Sequence, residues 1–227
     1  MAIRREFLKA VAAGAAWRPP EAAAAAPPSG PFFNVAEFGA VGDAKTLATA
    51  AIQSAVDACA KAGGGTVIVP AGRYLTGPIF LKSNVRVEIV GGATLLGSTD
   101  FAHYPSIQGR WEGLDRAIHA SLFTGADLED VSITGRGTLD GQGRPWWDAQ
   151  RQTRETRRKL GMDDREGENP PGAPLKWARP RMINLYRCHN VLLSGITIVN
   201  SPSWNVHPVL CQNVVMRSER ASCRERV

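Results

Sequence analysis

Apolar and polar residues alternate through FFNVAEF (residues 32–38) until Gly39 and Gly42 interrupt, which is the pattern of an opening strand running into a turn. The period then changes. Between Thr49 and Ala62, Ile52, Ala55, Val56 and Cys59 recur at helical spacing on one face, and Gly63-Gly64-Gly65 supplies a stop, so one helix is predicted there. From Thr66 onward the chain reads as short β-rich runs: TVIVPAGRYLTG, IFLKSNVRVEIVGGATLLGS, LEDVSITGRGTLDGQG, HNVLLSGITIVNS and QNVVM. Gly, Asn and Asp punctuate them, which predicts many short strands joined by tight turns.

Four of these runs carry an Asn or Asp directly before Val: Asn84, Asp130, Asn190 and Asn213, separated by 46, 60 and 23 residues. Because 46 is twice 23, a repeat near 23 residues is predicted, with the interval of 60 lengthened by an insertion. A period in the twenties indicates a solenoid, in which each coil buries its inward side chains only by stacking on the next. Cys188 and Cys211 are also 23 apart, each two residues before its Asn-Val pair. They are expected at equivalent places on adjacent coils, about 4.8 Å apart, as a disulfide or, preferably, as stacked thiols. No Cys/His spacing resembles a zinc site.

The insertion spans roughly residues 143–178. It opens on Pro145-Trp146-Trp147, passes through RQTRETRRKLGMDDREGE and ends in the proline-rich PPGAPLKW. A long loop with a short helix is expected. Such loops on a rigid frame often bind ligands, although the run from Arg151 to Lys159 reads equally well as a solvated charged face.

Composition narrows the class. With 44% hydrophobic and 21% charged residues the chain is globular rather than disordered, and no apolar stretch reaches the roughly 18 residues of a spanning helix. The net charge of +6 raises the question of nucleic acid. The excess lies in residues 1–30 (+2), 144–187 (+5) and 217–227 (+2), leaving −3 on the body of the chain. That distribution argues against a groove for a phosphate backbone.

Both ends differ from the middle. MAIRREFLKAVAAGAAW, with paired Arg4 and Arg5 ahead of Phe-Leu-Lys and an alanine run at 22–26, resembles a bacterial twin-arginine export signal, so residues 1–30 are expected to be signal and linker. The expected partner is the twin-arginine export machinery, and the expected location periplasmic or secreted. Residues 217–227, RSERASCRERV, abandon the preceding alternation without turn chemistry. Because their codons can spell a common sequencing-adapter sequence with one inserted base, this tail is expected to be non-native.

FNVAEFGAVGD, TAAIQSAVDACAKAGGGTVIVPAGRYLTGPIFLKSNV, GATLLGS, GRGTLDGQGRPWW and RPRMINLYRCHNVLLSGITIVNSPSWNVHP together resemble glycoside hydrolase family 28, the polygalacturonase-like enzymes, over about residues 32–216. The resemblance implies an all-β fold, a right-handed parallel β-helix with an N-terminal capping helix, with residues 31–216 forming its N-terminal coils. One local departure is Ala48, where the family commonly places an acidic residue ahead of the helix; loss of that N-cap costs about 1 kcal/mol. A larger departure is the absence of the family's Asn-Thr-Asp-Gly, Asp-Asp, Gly-His-Gly and Arg-Ile-Lys segments. The catalytic residues are therefore expected beyond Met216, the fold incomplete at its C-terminal end, and the chain an inactive fragment.

Such enzymes hydrolyse galacturonic-acid linkages of pectic polysaccharide with inversion, which needs an acid and a base carboxyl roughly 6.5 to 9.5 Å apart. No cofactor or metal is expected, and the complete protein is expected to be a monomer without stable membrane insertion. Trp204 and His207 are the candidate substrate-binding residues: an aromatic face suits the apolar side of a sugar ring, and an imidazole can bond hydroxyl or carboxylate groups. A buried Trp and a satisfied His are the competing readings. Arg179 and Arg181 suit an anionic sugar, although Arg179-Pro180 can equally fix a strand start. Asp140, and Asp127, Glu129 and Asp130, read as turn chemistry. Asp163, Asp164, Glu166 and Glu168 lie in the insertion, too loosely held for catalysis. The alternatives are a β-helix pectate lyase, requiring clustered acidic residues around Ca²⁺ and an arginine base, and a non-catalytic carbohydrate-binding β-helix.

Overall fold

The computed structural model describes residues 31–111, 113–162 and 169–217. Arg4 and Arg5, the acidic positions at 163, 164, 166 and 168, and residues 218–227 lie outside the described residues. The chain winds as a right-handed parallel β-helix. One sheet stacks Phe32–Asn34, Gly65–Val69, Val85–Ile89, Glu129–Gly135, His189–Ser194 and Gln212–Arg217, all parallel. A second stacks Asp43–Leu47, Gly72–Thr76, Ala93–Gly97, Thr138–Asp140 and Thr197–Val199. A third stacks Ile79–Phe80, Phe123–Ala126, Ile183–Tyr186 and Val206–Val209.

Parallel in-register pairing places like residues above one another. In the first sheet Val67, Val87, Ile133 and Leu193 form one inward column. Tyr74, Leu95, Leu139 and Ile198 form another in the second sheet, and Ile79, Phe123, Ile183 and Val206 a third. These columns meet in one core, where burial of each large aliphatic side chain contributes about 1.5–3 kcal/mol.

Helix α1 (Thr49–Lys61) packs Ile52, Ala55, Val56 and Cys59 into this core at the first coils, as its period predicts. Ala48 at its start makes no side-chain cap, and Thr49 instead accepts the Gly77 N–H at 2.6 Å through Oγ1, tying the first turn to the second coil. At the other end Gly63 (φ 94°) bonds back to the Ala60 carbonyl and Gly64 to that of Cys59, a paired closure that requires a left-handed residue.

The turn positions stack as their spacing suggests. Asp130, Asn190 and Asn213 share left-handed φ values of 51–53°, and their side chains link in series: Asn190 donates to Asp130 at 3.0 Å, and Asn213 to Asn190 at 2.7 Å. The coil count differs from the sequence expectation. Thr134 and Glu88, 46 residues apart, are bonded neighbours in adjacent strands, so the interval of 46 is one coil and not two of 23. The extra length is an antiparallel hairpin, Ser106–Trp111 with Leu114–His119, that leaves the frame after the second sheet.

The insertion also departs from expectation. It contains a 16-residue helix, α2 (Arg144–Lys159), in place of a loop with a short helix. Its many charges obscure a stripe of Trp146, Ala149, Thr153 and Arg157, all buried, while Pro145 sits in the first turn where no intrahelical donor is needed. Trp146 packs with Phe101, Tyr104 and Leu175, and His119 meets Trp146 and Trp177 edge-on at 5.3 and 5.2 Å. This second cluster fastens the helix, the hairpin and the returning segment together. Gly143 allows the helix start to approach the next coil: a Cβ there would lie 2.7 Å from the carbonyl oxygens of Asn200 and Ser201.

Cys188 and Cys211 do occupy adjacent coils, as free thiols, with the Cys188 N–H donating to Cys211 Sγ at 3.4 Å. Burial pushes the Cys188 thiol pKa up, keeping it protonated.

Candidate active-site cleft

The third sheet points one row of side chains outward, Phe80, Thr124, Asn184 and His207, in register. The hairpin folds across this face. Between them lies a cleft of about 260 Å³ whose walls include Gln108 and Arg110 from the hairpin and Thr124, Asn184, Tyr186 and Val209 from the sheet. Arg110 pairs with Asp115 across the hairpin at 3.2 Å.

Arg110 and Asn184 join the cleft to an aromatic and cationic cluster. Trp111, at the hairpin tip, stacks on Trp204 with ring centres 5.5 Å apart and planes 7° from parallel. Trp204 in turn lies 5.0 Å from the His207 ring at 25°. The Arg181 guanidinium sits 4.7 Å from the centre of Trp111 and 5.1 Å from that of Trp204. Only 1% of Arg181 is exposed. Nη2 donates to the Arg110 carbonyl at 2.7 Å and Nη1 to Asn184 Oδ1 at 3.3 Å, while Nε has no partner among the described residues. Among the described residues no carboxylate pairs with it. Burial brings its pKa down to about 10, so it stays charged at neutral pH.

His207 shares the same asparagine. Its Nδ1 lies 3.0 Å from Asn184 Oδ1, which also accepts from Arg181, so Nδ1 carries the hydrogen and Nε2 is the acceptor. Burial and the Arg181 charge push its pKa down to about 4, leaving a neutral ring. A neutral imidazole acceptor, exposed indole edges and a fixed positive charge together suit a ligand with hydroxyls, an apolar ring face and a carboxylate.

Trp204 is 45% exposed, with its ring stacked on Trp111 and lying beside His207 and Arg181. His207 is half-buried, and among the described residues only its Nδ1 has a hydrogen-bond partner. Neither lines the cleft itself; both flank it beyond Asn184. Arg179 holds a strand start, since Nη1 donates to the Pro202 carbonyl at 2.8 Å while Ser203 donates to that of Pro180 at 2.8 Å. Asp140 is a turn residue: it accepts the Gln142 N–H and the Asn200 amide, both at 3.0 Å. Asp127 forms an exposed pair with Arg187, held by two bonds of 2.6 and 2.7 Å. Among the described residues no group of three or more His, Cys, Asp or Glu could hold a metal ion.

Trp111, Arg110 and Asn184 are not among the residues that the sequence singles out. The signal for the first two is the pair of runs SIQGRW and LDRAIH around Glu112-Gly113, a hairpin pattern within the interval of 46.

Three parallel sheets coiled around one core define the pectate-lyase-like class of β-helix solenoids. The family model described as "Rhamnogalacturonase A/epimerase, pectate lyase-like" matches residues 32–188, and the chain belongs to that family. It is a polygalacturonase-like protein of the glycoside hydrolase family 28 type. A probable polygalacturonase of Vitis vinifera is 36% identical over 193 residues, covering 81% of this chain and 35% of that protein. The exopolygalacturonase of Thermotoga maritima superposes with a TM-score of 0.71 at 34% identity, over 83% of this chain and 46% of that one. The family 28 exopolygalacturonase of Yersinia enterocolitica gives 0.62 at 25% identity, over 82% of this chain and 38% of that one. The chain thus spans less than half the length of these relatives. Among the described residues no helix is long and apolar enough to cross a membrane.

Proposed function

We propose that this chain forms the substrate-binding flank of an exported hydrolase of galacturonic-acid linkages in pectic polysaccharide. The observation that carries the reading is Arg181, a buried guanidinium without a carboxylate partner among the described residues, stacked against Trp111 and Trp204. Its charge, poorly screened at the edge of the cleft, favours an anionic sugar over a neutral one. The names of the relatives support galacturonan as that sugar. Inverting hydrolysis needs two carboxyl groups roughly 6.5 to 9.5 Å apart. The cleft walls supply Asp115, already engaged by Arg110. The catalytic carboxyl groups are accordingly assigned to sequence after Met216, and the 227-residue chain to binding without turnover. Export would follow from Arg4 and Arg5.

Titration of trigalacturonate and of a neutral galactose trisaccharide, followed by tryptophan fluorescence, tests the reading. Trigalacturonate is expected to bind and the neutral sugar not to, with Trp204→Ala and His207→Ala each weakening binding about tenfold. Equal affinity for both sugars, or no effect of either substitution, overturns the site. Release of reducing sugar from polygalacturonate by the 227-residue chain overturns the placement of the chemistry.

A further inference from the structure

Helix α2 carries a second stripe, distinct from its buried one. Trp147, Arg151, Arg154 and Arg158 fall at i, i+4, i+7 and i+11, on one exposed face. At 1.5 Å per residue the stripe is about 16 Å long. Its first member is fixed beside the aromatic cluster: Trp147, 38% exposed, donates its indole N–H to the Ser201 carbonyl at 3.0 Å, and Ser201 Oγ donates to the Trp204 carbonyl at 3.2 Å. The stripe therefore begins at the turn that presents Trp204.

The charges on it are unevenly matched. Arg151 is paired with Asp148, whereas among the described residues no carboxylate pairs with Arg154 or Arg158. Arg154 lies close enough to Arg179 that its charge adds to burial in lowering the Arg179 pKa. Arg158 and Lys159 sit in the last turn, where they complement the helix dipole. The dipole does not account for Arg154, a turn earlier and set against another cation. Two like charges held together by a rigid scaffold favour an anion between or above them.

We propose that the Trp147–Arg154–Arg158 face of α2, with Arg179 at its base, is an auxiliary site for acidic polysaccharide. There it continues the path of a polyuronate chain away from the Trp204 end of the cleft. The inference rests on the galacturonan reading above, and it assigns the insertion a function that a short oligomer bound in the cleft does not need. Trp147 offers a face to one sugar ring, and the guanidiniums meet carboxylates that recur along the polymer.

The test compares a long, fully de-esterified polygalacturonate with trigalacturonate on the 227-residue chain and on Arg154→Glu/Arg158→Glu. The double variant is expected to bind the long polymer about tenfold more weakly, with a shallower salt dependence, and the trimer within about twofold of the parent. Arg154→Gln should fall between the two and keep the parent unfolding midpoint because its side chain is exposed, while the double variant should stay folded with a slightly lower midpoint, because reversing Arg158 opposes the helix dipole. Unchanged affinity for the long polymer, or equal weakening for the trimer, overturns the auxiliary site while leaving the cleft intact. A proportionate loss of affinity for a short DNA duplex makes this a general anion surface and overturns the assignment. If the parent chain binds neither oligomer nor polymer, the galacturonan reading fails and the auxiliary site falls with it.

Discussion

Trp111 and Trp204, 93 residues apart in sequence, stack within 7° of parallel across the gap between the hairpin and the last described coil of the third sheet. Arg181 lies against both rings. The pair therefore holds the hairpin down and shields a buried cation at once.

Removing either ring should loosen the hairpin. Trp111→Ala is expected to cost about 1–2 kcal/mol, with faster amide exchange concentrated in residues 106–119. In a double-mutant cycle with Trp204→Ala the coupling energy should be about 0.5–1.5 kcal/mol. Additive effects in denaturant melts would show that the stacking contributes nothing beyond each ring's own burial.

The pKa of His207 is held near 4 in the folded chain, against an ordinary value of 6.5. Below pH 6.5 the unfolded chain takes up this proton and the folded chain does not. The stabilisation linked to a neutral His207 is thus complete above pH 6.5 and is lost as pH falls toward 4. His119, also lowered by burial, acts in the same direction. Urea melts between pH 4 and 7 should show stability rising with pH, and His207→Gln should flatten that rise. An unchanged slope in the variant would mean that His207 titrates alike in the folded and unfolded chains.

Asn190 combines a left-handed backbone with bonds to Asp130 and Asn213. Asn190→Ala removes both bonds and leaves a residue that tolerates left-handed φ less well than Asn, for an expected loss of about 1–3 kcal/mol. Asn190→Gly relieves the backbone part and should cost less. Thermal melts of the two variants separate the contributions: equal losses would assign the whole effect to the hydrogen-bonded side chains.

The solenoid was legible because its signals are local and repeated. Asn84, Asp130, Asn190 and Asn213 each mark a turn, and Ile52, Ala55, Val56 and Cys59 mark α1 by period alone. The number of coils was not, because divisibility of 46 by 23 is arithmetic, whereas coil boundaries depend on which strands pair. Helix α2 was hidden for a different reason: six of its sixteen residues are Arg or Lys, so a stripe containing only two strongly apolar-compatible positions, Trp146 and Ala149, does not stand out. Of the candidate site, Trp204 and His207 were visible in SPSWNVHP. Trp111 and Asn184 were not, since their importance arises from a tertiary contact across the hairpin and from a shared hydrogen-bond acceptor.

Neighbouring coils separated by 23, 46 and 60 residues all return to the same register in the first sheet. Contour length and axial advance are therefore decoupled: one turn of the frame rises by one strand spacing however much chain is looped out at its corners. The interior acts as a fixed ruler and the exterior as a set of interchangeable attachments. Lengthening, recharging or exchanging the hairpin or α2 would alter what the surface presents without shifting a single inward column. Diversification of specificity in such a frame is a question of what is appended at a corner, and is separable from the question of whether the frame folds.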